Sequence, residues 1–119
     1  MRKTRVLLAN APRSYREVIA SAVHDLRPNL DVFVAEPGEI EGKMESLAPD
    51  VVICSEVYPA VERGARAWIQ LYPEGEQTAV VSVEGERVTL PNLEFFGLLS
   101  AVDRADAALR QGTGAPRRD

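Results

Sequence analysis

Ala79-Val80-Val81-Ser82-Val83-Glu84-Gly85-Glu86-Arg87-Val88-Thr89-Leu90 is the stretch on which the fold turns. It holds two runs rich in β-branched residues, 79–83 and 87–90, with only Glu84-Gly85-Glu86 between them. Parallel neighbours in one sheet need a crossover of roughly a dozen residues or more. Three residues around a glycine fit a hairpin instead. The second run is therefore expected to lie antiparallel to the first, with no helix between them.

Upstream, the pattern alternates. Val6-Leu7-Leu8-Ala9 is apolar throughout, as a strand covered on both faces would be. Ser14-Tyr15-Arg16-Glu17 reads as a capping box. It opens a helix with Tyr15, Ile19, Ala22, Val23 and Leu26 on one face, which Pro28 stops. Asp31-Val32-Phe33-Val34-Ala35 is a second strand, broken by Pro37-Gly38. Ile40, Met44 and Leu47 mark a short amphipathic helix that ends at Pro49. Val51-Val52-Ile53-Cys54 is a third strand. Pro59 is placed to begin a third helix carrying Val61, Ala65, Trp68, Ile69 and Tyr72 on its core face and ending at Pro73-Glu74-Gly75. The run 79–83 is then a fourth strand and 87–90 a fifth. Asn92 is expected to cap a last helix with Phe95, Leu98, Val102, Ala105 and Leu109 on its inner face. This alternation predicts an α/β domain over 1–110, with a mostly parallel sheet between helix layers. Residues 111–119 show no apolar periodicity and are expected to form a disordered tail.

Composition narrows the chemistry. The chain has 119 residues, 45% of them hydrophobic and 27% charged, enough for one core without a disulfide or metal staple. One Cys and one His exclude an intrachain disulfide and any cluster of Cys or His around a metal. Cys54 reads as a small core hydrophobe and His24 as a solvated surface residue. The net charge of −4 argues against nucleic acid as a partner. The apolar run after the basic start is too short for a leader or a span, so no membrane partner is expected and the location is expected to be cytoplasmic. Asn10-Ala11-Pro12-Arg13-Ser14 has no glycine, which disfavours a dinucleotide, although Arg13 and the helix start could hold an anion. No cofactor and no metal site are expected.

Three stretches resemble the receiver domain of two-component response regulators. Arg5-Val6-Leu7-Leu8-Ala9-Asn10-Ala11 with Tyr15-Arg16-Glu17 is similar to that family's first strand, acidic-pair loop and first helix. Pro49-Asp50-Val51-Val52-Ile53-Cys54-Ser55 resembles its third strand, which ends in the phosphoacceptor Asp. Leu90-Pro91 resembles its Lys-Pro turn. The resemblance implies a flavodoxin-like or CheY-like three-layer sandwich in strand order 2-1-3-4-5, from which the short Glu84-Gly85-Glu86 connection departs by making the last strand antiparallel and leaving out the helix before it. It also implies Mg²⁺ held by an acidic pair, an Asp nucleophile, a hydroxyl and a Lys. The matching positions here are Asn10 and Ala11, Ser55, Ser82 and Leu90. Hard Mg²⁺ wants carboxylate oxygens, and neutral Ser55 has no base to activate it. The expectation is a pseudo-receiver, not an enzyme, with no catalytic residues.

Asn10, Ser55, Glu56 and Ser82 are expected at the carboxyl ends of the strands, where open α/β sheets bind ligands. They are the candidates for a vestigial polar pocket. Phe96 lies off the apolar face of the last helix and Leu99 between the two faces, and the pair are the candidates for a partner surface. The resemblance implies a homodimer through that helix. The leading expectation is a non-catalytic signalling or protein-interaction module. The rival is a small-ligand-binding flavodoxin-like domain that uses the strand-end pocket.

Overall fold

The computed structural model describes residues 3–72 and 78–114. The elements are β1 (Thr4–Ala9), α1 (Arg13–Leu26), β2 (Leu30–Val34), a 3-10 turn (Pro37–Glu39), α2 (Ile40–Leu47), β3 (Val51–Cys54), α3 (Pro59–Gly64), β4 (Ala67–Leu71), β5 (Thr78–Val83), β6 (Glu86–Pro91) and α4 (Phe95–Gly114). Among the described residues this is an α/β fold with one six-stranded mixed sheet in the order β2-β1-β3-β4-β5-β6. The first four strands run parallel, and β5 and β6 are antiparallel to their neighbours.

Alternation along the strands builds two cores. Val6, Leu8, Val51, Ile53, Ile69 and Leu71 face α1 and α4, where Ile19, Val23, Leu98 and Val102 meet them. Leu7, Ala9, Val52, Cys54 and Trp68 face the other way, against Ile40 of α2 and Val61 of α3. The sheet therefore lies between two helix layers. Thr4 donates to the buried Asp106 carboxylate, which also takes Arg110 Nε at 2.9 Å, tying the start of β1 to α4.

The hairpin forms as expected. Val83 pairs with Glu86 and Val81 with Val88. Its loop is two residues, Glu84 and Gly85, with φ of 51° and 89°, and Glu86 already belongs to β6. Positive φ at both central positions is the turn that matches strand twist.

The expected third helix does not form as one element. α3 stops at Gly64, and Ala67–Leu71, which contains Trp68 and Ile69, is a strand. The sheet gains a parallel strand beside β3, so it has six strands and not five. The run Ala67-Trp68-Ile69-Gln70-Leu71, apolar except for Gln70, satisfies either period: Ala67, Ile69 and Leu71 go to one face and Trp68 and Gln70 to the other. The expected stop at Pro73-Glu74-Gly75 lies outside the described residues.

Two expected caps are also absent. α1 begins at Arg13 after Pro12, with no side-chain cap, and Glu17 accepts from Arg13 Nε at 2.9 Å instead of reaching back to Ser14. Its buried face is Arg16, Ile19, Ala20 and Val23, which leaves Leu26 exposed. Asn92 sits at φ 51°, in the left-handed region, and the first α4 hydrogen bond runs from the Leu98 N–H to the Glu94 carbonyl at 2.9 Å. α4 continues through Gly114, past residue 111, and 115–119 lie outside the described residues.

Candidate functional site

The chain leaves β1 for β2 on one side and returns to β3 on the other. The carboxyl ends of β1 and β3 thus form a topological switch point, where a crevice opens in folds of this kind. Asn10 follows β1 there and Ser55 follows β3. The Ala11 N–H donates to Ser55 Oγ at 2.9 Å, which brings the two loops together. From β4, Gln70 Nε2 donates to the Ser55 carbonyl at 3.2 Å. Glu56 follows Ser55 but points into solvent, an exposed residue.

Arg16, from the first turn of α1, covers this end of the sheet. It is buried, donating Nη1 to the Asn10 carbonyl at 3.2 Å and Nη2 to Glu36 at 3.0 Å. The Arg16 side chain is 4% exposed and the Glu36 side chain 54%. The ion pair therefore has a buried cation and a hydrated anion. Asn10 itself has no accessible surface, and both its amide atoms, Oδ1 and Nδ2, are buried without a hydrogen-bond partner among the described residues.

A tyrosine pair closes the flank. Tyr15 of α1 and Tyr72 after β4 stack with ring centroids 6.0 Å apart and share a hydroxyl hydrogen bond of 2.8 Å. Desolvation, then the bond to Tyr72, pushes the Tyr15 hydroxyl up to about 12. Tyr72 has φ 53°, a strained position for a bulky residue, and its hydroxyl also meets the Leu93 carbonyl at 3.4 Å.

Asn10, Ser55 and Glu56 thus share one end of the sheet, and Ser82 does not join them. It is buried on β5 between Trp68 and Arg87. β5 runs against β4, so its carboxyl end lies at the amino end of the parallel strands. The partner-surface pair separates too. Phe96 is 76% exposed, whereas Leu99 is 3% exposed and part of the α1–α4 core, which removes it from that surface. Arg13 is engaged by Glu17, and His24 is a surface side chain 3.4 Å from Asp25. Cys54 is fully buried, and desolvation with the nearby Glu56 carboxylate pushes its thiol up to about 12. Trp68 is buried under the Arg87 guanidinium, 5.2 Å from the ring centroid.

Arg16, Gln70 and the Tyr15–Tyr72 pair are not evident from the sequence as parts of this site. Arg16 left a trace, since Arg16, Ile19, Ala20 and Val23 follow the i, i+3, i+4, i+7 spacing of a core-facing stripe and only the first is charged. Gln70 and Tyr72 were hidden because their segment read as helix.

The donor set does not fit the divalent cation that the receiver resemblance implies. Asn10 supplies one neutral carbonyl oxygen, Ala11 supplies none, and Ser55 Oγ already accepts the Ala11 N–H. Among the described residues no group of three or more His, Cys, Asp or Glu is placed to hold a metal ion. No helix among them is long and apolar enough to cross a membrane. No family model matches the chain, and no match was found among curated proteins.

Proposed function

We propose that the chain is a non-catalytic, receiver-like module that acts by presenting its surface to a protein partner. The observation that carries this reading is the 2.9 Å hydrogen bond from the Ala11 N–H to Ser55 Oγ. It joins the two positions that the resemblance assigns to the acidic pair and the phosphoryl acceptor, and neither holds a carboxylate. The order β2-β1-β3-β4 supports a CheY-like core, and the β5–β6 hairpin is where the chain departs from it. Phe96, at 76% the most exposed large apolar side chain among the described residues, supports a contact surface on α4, with a second copy of the chain as the partner to test first.

Incubation with acetyl phosphate and Mg²⁺ followed by intact-mass measurement tests the chemistry. The mass is expected to stay unchanged, and a stoichiometric phosphoryl adduct would overturn the non-catalytic reading. Light scattering tests the surface. Phe96→Asp is expected to lower the oligomeric mass, and an unaltered mass removes the homodimer.

A further inference from the structure

We infer that the Asn10 carboxamide anchors an internal hydration site at the β1–β3 switch point, an ordered water held where the receiver resemblance would put a metal. This stands on the surroundings of Asn10 alone and does not need the partner-surface reading. Buried side-chain nitrogens and oxygens nearly always have a protein or water partner. Asn10 Oδ1 and Nδ2 have no protein partner, and they are the only buried side-chain polar atoms so placed among the described residues.

The chemistry of the amide selects the occupant. Oδ1 accepts and Nδ2 donates, so an occupant must donate and accept within one small volume. A cation would meet Oδ1 but be repelled by the Nδ2 hydrogens and by the Arg16 guanidinium, which lies 3.2 Å from the carbonyl oxygen of the same residue. An anion would satisfy Nδ2, leave Oδ1 unpaired, and face the Glu36 carboxylate across Arg16. Water does both, and internal waters settle on such groups with two to four polar partners. Ser55 offers a further anchor. Its Oγ accepts from Ala11, while among the described residues its own proton has only the Ala11 carbonyl at 3.5 Å, at the outer limit of a hydrogen bond. A water bridging Asn10 and the Ser55 hydroxyl would pin the β1–α1 loop to the end of β3.

Nuclear magnetic resonance on the ¹⁵N-labelled full chain tests this. The chain has three Asn and three Gln, so the side-chain NH₂ peaks are few. The Asn10 pair is assigned by triple-resonance spectra and by its loss in Asn10→Leu, the spectra sufficing alone if that variant fails to fold. Rotating-frame cross-peaks between water and the Asn10 Hδ2 protons are expected, with the sign of dipolar contact and not of chemical exchange. Asn10 peaks without a dipolar water contact would overturn the proposal. Titration with Mn²⁺ is the second arm. The Asn10 peaks are expected to keep their intensity, and selective broadening there would replace the water with a cation site.

Discussion

Arg16 holds a helix position that the surrounding stripe reserves for apolar side chains, and its tolerance there is a matter of partners. A buried guanidinium is costly unless its donors are satisfied. Here one donor meets the Asn10 carbonyl and another meets Glu36. Removing it leaves no stranded charge, because Glu36 is half exposed and rehydrates. The loss is the packing of the arginine stem and the donor on a buried carbonyl. Arg16→Ala is therefore expected to destabilise by about 1–3 kcal/mol. Urea unfolding measures it, and a change within about 0.5 kcal/mol would show that Arg16 is a bystander. Cys54 is the opposite case, legible in the sequence because a Val-Val-Ile-Cys run needs only a small apolar group. Its thiol and the Tyr15 hydroxyl both titrate higher when folded, at about 12 each against 9.0 and 10.0. The folded chain thus keeps protons that the unfolded chain releases. Their contribution is whole below pH 9 and is lost as pH rises toward 12, with a slope for Cys54 of at most about 1.4 kcal/mol per pH unit. Stability measured from pH 8 to 11 should fall, and less steeply in Cys54→Ala. Equal slopes would mean that the thiol is not desolvated.

Elements were legible where one local rule dominates and illegible where two compete. The hairpin was readable because two short strands cannot be joined in parallel through Glu84-Gly85-Glu86. β4 was not, because Ala67-Trp68-Ile69-Gln70-Leu71 has a buried residue wherever either period asks for one. Gly64 is the stop signal, and α3 ends there. The switch-point site follows the same division: Asn10 and Ser55 end strands whose apolar runs are unambiguous, while Ser82 joins them only if β5 runs parallel to β4, and it runs antiparallel. The turn makes the element's own prediction. Gly85 has φ 89°, and a Cβ there would meet nothing within 4 Å. Gly38 is equally open but has no positive φ. Gly85→Ala is expected to cost about 1 kcal/mol or more, purely from backbone strain, while Gly38→Ala stays neutral or slightly stabilising. Equal effects in thermal or urea unfolding would mean that strain at the turn does not set the hairpin's stability.

At the scale of the whole molecule, the strand order sorts protection against solvent. β1 and β3 lie between strands on both sides and between helices on both faces, and Val6, Leu7, Leu8, Val51, Val52, Ile53 and Cys54 have no accessible surface. Among the described residues β6 pairs with β5 alone, and most of its residues are exposed, Val88 at 57%. Local opening free energies follow such differences in burial. Amides in β1 and β3 are expected to exchange with deuterium only through global unfolding, and those in β6 far sooner. The two-residue turn refines this within β6. Closing residues of such a hairpin exchange both hydrogen bonds, and bonded and non-bonded pairs then alternate. Val83 and Glu86 close it, so Val88 and Leu90 direct their N–H groups at β5, and Arg87 and Thr89 direct theirs at the open edge. Arg87 and Thr89 should therefore exchange fastest, with Val88 and Leu90 slower on either side. Residue-resolved exchange at two protein concentrations separates the alternatives. A fast, concentration-independent pair at Arg87 and Thr89 is the expected result for a free edge. Protection of those two amides that grows with concentration would mean that the edge pairs with a second chain, and uniform fast exchange along β6 would mean that the hairpin itself opens readily.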